Sequence, residues 1–310
     1  MSLVLLAGTA NPPLAAAVAQ CLALPLAERE ATRFPDGEMQ VEVKTSVRGC
    51  DVYLIQPTGP PAEEHLFQLL LLADACRRAG SARLTAVVPY FGYARQDRRA
   101  TGRDPVGARV VADLLATVGI DRTVSVDLHS PLEGVFGRPL EHLTAVPLLA
   151  ERLRAMGTEG CVLVAPDLGA TKLAERYARL LDLPVAFVHK QRLSGDEVAV
   201  RGVTGEVRDL FPIVVDDMVT TGGTVEAAVW AVLDAGARAD VVVAATHGLL
   251  VGKAVARLGG LPLKRIVTSD SVPATSGTLP VERVGLGALL ADAISRLHRD
   301  QSLTDLLVHR

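Results

Sequence analysis

Short apolar runs alternate with longer amphipathic stretches along nearly the whole chain. Runs of four to six residues at 3–7, 51–56, 84–89 and 123–127, then at 161–165, 185–189, 213–216, 241–246 and 265–268, predict buried strands. Between them, apolar positions recur at helical spacing over 62–79, 106–118, 146–156, 170–181 and 224–235. Strand and helix in alternation imply parallel sheets joined by crossover helices, an α/β fold. Several strands run into a polar cluster at their carboxyl ends, where open parallel sheets bind ligands.

A similar pattern of strand, loop and helix is expected in both halves, at low sequence identity. In the first half, Val87-Val88-Pro89-Tyr90 enters a loop rich in Gly and Arg and then a helix. In the second, Ile213-Val214-Val215-Asp216 enters a Thr/Gly loop and then a helix. Two similar domains are therefore expected, 1–143 and 144–310, with the junction in 141–144 ahead of the helix that starts at Val146. A final amphipathic stretch at 286–297 has no strand after it and is free to pack back on the N-terminal domain.

A length of 310 residues exceeds what one hydrophobic core usually serves and suits two α/β domains. Aromatics make up only 4%, which leaves Val, Leu and Ala to pack strands buried on both faces. The net charge of -3 lacks the basic imbalance of a nucleic-acid binder, and the basic residues cluster locally at 95–103, which favours a small anionic ligand. The scattered cysteines Cys21, Cys50, Cys76 and Cys161 have no metal spacing and are expected to be small buried hydrophobes of a reducing compartment. The N-terminal apolar run is short and lacks a basic flank, and no run approaches a membrane span. No membrane partner and a cytoplasmic location are expected.

The sharpest motif is Val214-Val215-Asp216-Asp217-Met218-Val219-Thr220-Thr221-Gly222-Gly223-Thr224. A buried strand delivers two adjacent carboxylates, then a loop of small hydroxyl and glycine residues opens a helix. Glycines admit a phosphate close to the backbone, and the helix start offers N–H donors and positive potential. The acid pair repels phosphate and suits sugar hydroxyls or a hydrated Mg²⁺ beside it.

This loop resembles the phosphoribosyl-diphosphate loop of the type I phosphoribosyltransferase fold. With four further stretches, the chain resembles the ribose-phosphate pyrophosphokinase family over nearly its whole length. Arg33-Phe34-Pro35-Asp36-Gly37-Glu38 is similar to the family's loop that reaches into a neighbouring subunit's ATP site, which implies that Phe34 stacks on adenine with Asp36 and Glu38 beside it. The stretch from Pro89 to Arg99 is close to a family signature, implying ATP contacts from Arg95, Gln96 and Asp97. Val126-Asp127-Leu128-His129 resembles the segment whose histidine binds the metal–nucleotide complex, and Ala165-Pro166-Asp167-Leu168-Gly169 the loop whose aspartate binds Mg²⁺. Phe187-Val188-His189-Lys190-Gln191-Arg192 occupies the place of a basic flexible loop, so Lys190 and Arg192, with His129, are the implied catalytic residues.

The resemblance implies two type I phosphoribosyltransferase-like domains, each with a parallel five-stranded sheet core flanked by helices. Asp216, Asp217, Thr220, Thr221, Gly222, Gly223 and Thr224 would hold ribose 5-phosphate. The implied reaction is Mg²⁺-dependent transfer of the β,γ-diphosphoryl group of ATP to the anomeric hydroxyl, giving phosphoribosyl diphosphate and AMP. A homo-oligomer, a hexamer or a smaller even assembly, is implied as well. Two other readings share the loop. A phosphoribosyltransferase would leave Arg95-Gln96 and Lys190/Arg192 idle. A non-catalytic regulatory subunit would not need His129, Asp167, Lys190 and Arg192 intact. Thr220 stands where many members carry a third aspartate, and 190–200 reads more like the archaeal branch. Arg48 and Arg83 fall at positions compatible with the phosphate and ADP effector site of the commoner form.

Overall fold

The computed structural model describes residues 1–194, 197–274 and 277–308, with the backbone alone for 190–194 and 197–201. Contacts divide the chain into a first unit of 1–144 with 271–273 and 285–310, and a second of 145–270 with 274–284.

The first unit opens with β1 (Leu3–Ala7), α1 (Pro12–Leu22), β2 (Arg29–Arg33), β3 (Met39–Val43) and β4 (Asp51–Ile55). It continues with α2 (Ala62–Arg78), β5 (Arg83–Val88), α3 (Gly107–Thr117), β6 (Arg122–Val126) and β7 (Leu140–Leu143). Five strands form a parallel sheet in the order β1-β4-β5-β6-β7, so the winding never reverses. Every residue of β4 is buried. Glu63 and Glu64 sit in the first turn of α2 and Arg77 and Arg78 in its last, complementing the helix dipole. The inner face of α2 packs Leu69, Leu72, Ala73 and Cys76 into the core. The hydrophobic pattern does not predict α1, because its Ala-rich sequence has no clear polar face. A cap defines it instead: the Asn11 side chain accepts from the Leu14 N–H at 3.4 Å, and prolines fill the first turn. The antiparallel pair β2–β3 forms its own hairpin, which packs on α2 through Val41 and Val43.

The second unit begins with α4 (Val146–Ala155), β8 (Cys161–Ala165), α5 (Thr171–Leu181), β9 (Val185–Ser194), β10 (Glu197–Thr204) and β11 (Phe211–Val219). It ends with α6 (Gly223–Asp234), β12 (Val241–Gly248), α7 (Ala254–Gly259), β13 (Leu263–Ser269) and β14 (Val281–Val284). The sheet order is β10-β9-β8-β11-β12-β13-β14. The five-stranded parallel core β9-β8-β11-β12-β13 thus gains a parallel edge, β14, and an antiparallel one, β10. β9 outruns the predicted 185–189 because β10, with Val198 and Val200 at alternate positions, supplies a partner for its second half. Winding goes from β8 to β9 on one side, then returns to β11 on the other. Accordingly α4 and α5 cover one face and α6 and α7 the opposite one. β5 in the first sheet and β11 in the second are both central strands.

The last helix, α8 (Gly287–His298), lies in the first unit and packs along α1. The helices approach so closely at Gly287 that a Cβ there would stand 3.0 Å from that of Ala17. A buried carboxylate anchors the end of α8. Asp51 is fully buried, accepts from Arg83 Nε at 2.9 Å and Nη2 at 2.5 Å, and pairs with His298 Nδ1 at 2.7 Å. Arg83 also donates to the Leu297 carbonyl at 3.2 Å and pairs with Asp300 at 3.0 Å. Its guanidinium thus ties β4 and β5 to the end of α8.

The four cysteines are free, but only Cys76 matches the expected buried role, and burial pushes its thiol up to about 12. Cys21 is exposed and Cys50 and Cys161 are half-buried, because they lie at element ends. Among the described residues, no helix is long and apolar enough to cross a membrane.

Arg83→Ala would leave the Asp51 carboxylate buried without its main partner, and thermal or urea denaturation should register a loss of about 3–5 kcal/mol. Burial by itself raises the Asp51 pKa, but hydrogen bonds from Arg83 and His298 outweigh it and hold the carboxyl below its usual range. A depressed folded value means the contribution is full above about pH 4 and fades as pH falls through the folded pKa. Asp51→Asn should therefore flatten the stability loss below that pH; an unchanged acid limb counts against this anchor.

Candidate active site

The strand order reverses between β8 and β11, so their crossover helices leave on opposite faces and open a crevice at the carboxyl ends of these two strands. Asp167 follows β8 and caps the short turn 168–170, its Oδ1 accepting from Gly169 N–H at 2.9 Å and Ala170 N–H at 3.3 Å. Asp216 and Asp217 lie within β11, which runs past the predicted 213–216 to Val219 because β12 stays paired with it that far. The Asp217 N–H donates to Asp216 Oδ1 at 2.9 Å. Burial first, then the neighbouring Asp217 and Asp167 carboxylates, push the Asp216 carboxyl well above its usual range. The three acids predicted from separate motifs thus converge in one crevice.

Beyond them the chain turns into the Thr/Gly loop. Thr221 and Thr224 are exposed and Thr220 is half-buried. Gly222 has φ +79°, and a Cβ there would stand 3.1 Å from the Leu258 side chain, so both backbone and space call for glycine. Gly223 opens α6, whose first helical bond runs from Glu226 N–H to the Gly222 carbonyl at 2.8 Å. No side chain caps this helix start, an arrangement that favours an anionic ligand. A second loop braces the first: Leu249 and Leu250 N–H donate to the Val219 carbonyl, and Val251 N–H to that of Thr220, each at 3.0 Å.

Arg257, on α7, is a residue the sequence reading misses. Its Nη1 lies 3.3 Å from Thr221 Oγ1 and 3.4 Å from the Thr221 carbonyl, and its Nε lies 3.6 Å from the Glu226 carboxylate. It sits in a short segment without a motif, so only the fold brings it to the loop.

The first unit carries the residues expected to meet the nucleotide. The loop after β5 is pinned by Thr58, whose N–H donates to the Tyr90 carbonyl at 2.9 Å and whose Oγ1 accepts from Gly92 N–H at 2.7 Å. Tyr93 has φ +67° and its hydroxyl donates to Glu63 at 3.0 Å. Past this point Arg95 and Gln96 are exposed, with Gln96 lying against Gly107 at the start of α3. Asp97 is half-buried and pairs with Arg98 at 3.1 Å. After β6, Asp127 takes φ +36°, a strained value for a residue with a side chain, held by its N–H on the Leu143 carbonyl at 2.9 Å. His129 follows, exposed. Because β5 and β6 are parallel neighbours, the two loops share one edge of the sheet.

Phe34, Asp36 and Glu38 are exposed at the tip of the β2–β3 hairpin, closed by Phe34 N–H on the Glu38 carbonyl at 2.9 Å. Arg33 ties the hairpin to α2 through Glu64 at 2.8 Å. Lys190 and Arg192 stand on β9, paired with Val200 and Val198, and their side chains lie outside the described residues. Val164 of β8 is in register with both Ala186 of β9 and Val214 of β11. The second half of β9 therefore runs out at the same sheet end as the Thr/Gly loop. Among the described residues, no group of three or more His, Cys, Asp or Glu side chains is arranged to hold a metal ion.

An acid pair on the central strand, leading into an uncapped Thr-Gly-Gly-Thr helix start beside a strand-order reversal, defines a phosphoribosyltransferase-type α/β protein. A second parallel α/β unit precedes it, and the match to known proteins extends across both. The chain belongs to the ribose-phosphate pyrophosphokinase family. Residues 3–119 match the family model described as the N-terminal domain of ribose phosphate pyrophosphokinase, and 144–257 match the phosphoribosyl transferase domain. A ribose-phosphate pyrophosphokinase of Staphylococcus saprophyticus is 39% identical over 300 residues, covering 95% of this chain and 93% of the relative. That of Bacillus subtilis is 37% identical over 297 residues, with the same coverage of 95% and 93%. The crystal structure of phosphoribosylpyrophosphate synthetase from Mycobacterium smegmatis superposes with a TM-score of 0.90 at 36% identity, over 97% of this chain and 100% of that one.

Gly222→Ala forces a side chain into left-handed backbone and against Leu258. It should cost about 1–2 kcal/mol and weaken binding of inorganic phosphate measured by calorimetry. Unaltered phosphate affinity would separate this glycine from the anion cradle.

Proposed function

We propose that the chain transfers the β,γ-diphosphoryl group of ATP to the anomeric hydroxyl of ribose 5-phosphate, giving phosphoribosyl diphosphate and AMP. The observation that carries this reading is the convergence of Asp167, Asp216 and Asp217 beside the Thr/Gly loop at the β8–β11 crevice. The full-length likeness to relatives named ribose-phosphate pyrophosphokinase supports it.

In this reading the Thr221 to Thr224 loop holds the 5-phosphate with backbone N–H groups and threonine hydroxyls. Thr220 sits at the loop's entrance, and Asp216 and Asp217 accept from the ribose hydroxyls. Arg95, Gln96 and Asp97 hold the nucleotide. Phe34 stacks on adenine, with Asp36 and Glu38 beside it, from a neighbouring subunit of a homo-oligomer. The anomeric oxygen bonds to the β-phosphorus as the bond from that phosphorus to its α-bridging oxygen breaks, and the bridging electrons leave with AMP. The hydroxyl proton passes to solvent. Lys190 and Arg192 neutralise charge on the group in flight. Such a transfer needs in-line positioning and charge compensation more than covalent help.

Mg²⁺ is the cofactor this chemistry calls for. Carboxylate oxygens are the hard ligands it prefers, and Asp167 lies near enough to Asp216 to help raise its pKa, although no three such side chains among the described residues form a ready cage, so substrate oxygens and water would complete its shell. Asp167 in the second unit and His129 in the first are the residues that the family resemblance assigns to it, each on its own unit. When bound, it offsets phosphate charge on the nucleotide.

Incubation with ATP, Mg²⁺ and ribose 5-phosphate should yield AMP in step with phosphoribosyl diphosphate. AMP that forms without ribose 5-phosphate, or no AMP at all, would sink the reading. Lys190→Ala should lower kcat by a factor on the order of 100 or more while ATP still binds, since electrostatic groups of this kind contribute at that scale. Phe34→Ala should raise the KM for ATP by roughly tenfold through lost stacking; an unchanged value would remove Phe34 from the nucleotide site.

A further inference from the structure

Arg257 holds its partners loosely. Its contacts of 3.3, 3.4 and 3.6 Å are all long for a guanidinium. Arg83 and Arg109, by contrast, hold carboxylates at 2.5 and 2.8 Å. The Arg257 side chain remains about a third exposed, at 30%. Its guanidinium thus rests between a neutral hydroxyl and a distant carboxylate, with most of its donor capacity unspent.

Its location is specific. Nη1 lies 3.0 Å from where a Cβ on Gly223 would stand, so glycine at that position leaves the guanidinium room over the start of α6. Glu226 is also on α6, within the first turn, and holds the cation from the helix side. The other contact is with Thr221, inside the loop that the proposed reaction assigns to the 5-phosphate. A phosphomonoester dianion entering that loop meets a cation already aimed at it and weakly held. It is a stronger partner for an arginine fork than a carboxylate 3.6 Å away.

We propose that Arg257 is a positioning and specificity residue for the phosphoryl end of the sugar. On binding, its guanidinium leaves Glu226 and takes a phosphate oxygen while keeping Thr221, so the site selects a phosphorylated pentose over the free pentose. Glu226 is the counter-carboxylate that parks the cation when the loop is empty. This inference rests on the ribose 5-phosphate reading of the loop.

The test compares wild type, Arg257→Ala, Arg257→Lys and Glu226→Gln by steady-state kinetics and by direct binding of ribose 5-phosphate and of ribose. Arg257→Ala should raise the KM for ribose 5-phosphate about 10- to 100-fold, the scale of one charge-assisted hydrogen bond, and leave the KM for ATP in place. The preference for ribose 5-phosphate over ribose should fall by the same factor. Arg257→Lys should recover part of both, and Glu226→Gln should tighten ribose 5-phosphate binding by releasing the cation. A purely structural arginine would instead change the two sugars' affinities equally, and that result overturns the proposal. So does an active enzyme whose KM for ribose 5-phosphate is the same in Arg257→Ala, or a Glu226→Gln variant that binds the sugar phosphate more weakly. A wild type that binds no ribose 5-phosphate overturns the parent reading as well, which separates the two failures. Should Arg257→Ala not fold, the lysine and glutamine variants decide the matter alone.

Discussion

The winding reversal between β8 and β11 is the constraint from which the site follows. Where crossover helices leave a sheet on opposite faces, the two strand ends between them cannot be covered by either helix. This chain puts Asp167 after one of those strands and Asp216 and Asp217 on the other. Burial and mutual repulsion make that arrangement unfavourable by itself, as the raised Asp216 pKa records. The surrounding structure holds it regardless: the 249–251 backbone grips the loop from one side and the Asp167 cap fixes the other. Electrostatic frustration of this kind, held in place by the surrounding backbone, marks where a ligand completes the structure.

The first sheet shows what happens without the reversal. Its strands wind in one direction, so the loops after β5 and β6 line a common edge instead of flanking a crevice. Both units still hang their principal loop from a central strand, β5 or β11. The similar strand–loop–helix pattern of the two halves therefore corresponds to a central strand in each of two sheets with different winding.

Much of the fold was legible in the sequence because parallel strands buried on both faces must be nearly continuous apolar runs. The runs at 3–7 and 161–165 coincide with β1 and β8. Weak periodicity hid the rest. α1 is apolar almost all round, β2 and β3 are half-exposed, and β7 and β14 are four-residue edge strands. The acid pair and the glycines of the phosphate loop could be read because their chemistry is local. Arg257 could not, since nothing near it in sequence indicates a ligand and the contact to Thr221 spans 36 residues. The tie of Arg83 to the end of α8 was equally hidden, since its contacts to the Leu297 carbonyl and to Asp300 span 214 and 217 residues.

That helix has a consequence for how the protein is made. α8 follows every element of the second unit, yet it belongs to the first and, with Asp300 just beyond it, supplies the carbonyl, the imidazole and the carboxylate that gather around Asp51 and Arg83. Synthesis from the N-terminus passes through the whole of 145–270 before α8 is made. The paired strands β4 and β5 can already join Asp51 to Arg83, but the His298 contact and the cover over one flank of α1 come only after the second unit's strands exist. The N-terminal sheet thus receives its final packing later than the strands that separate it from α8.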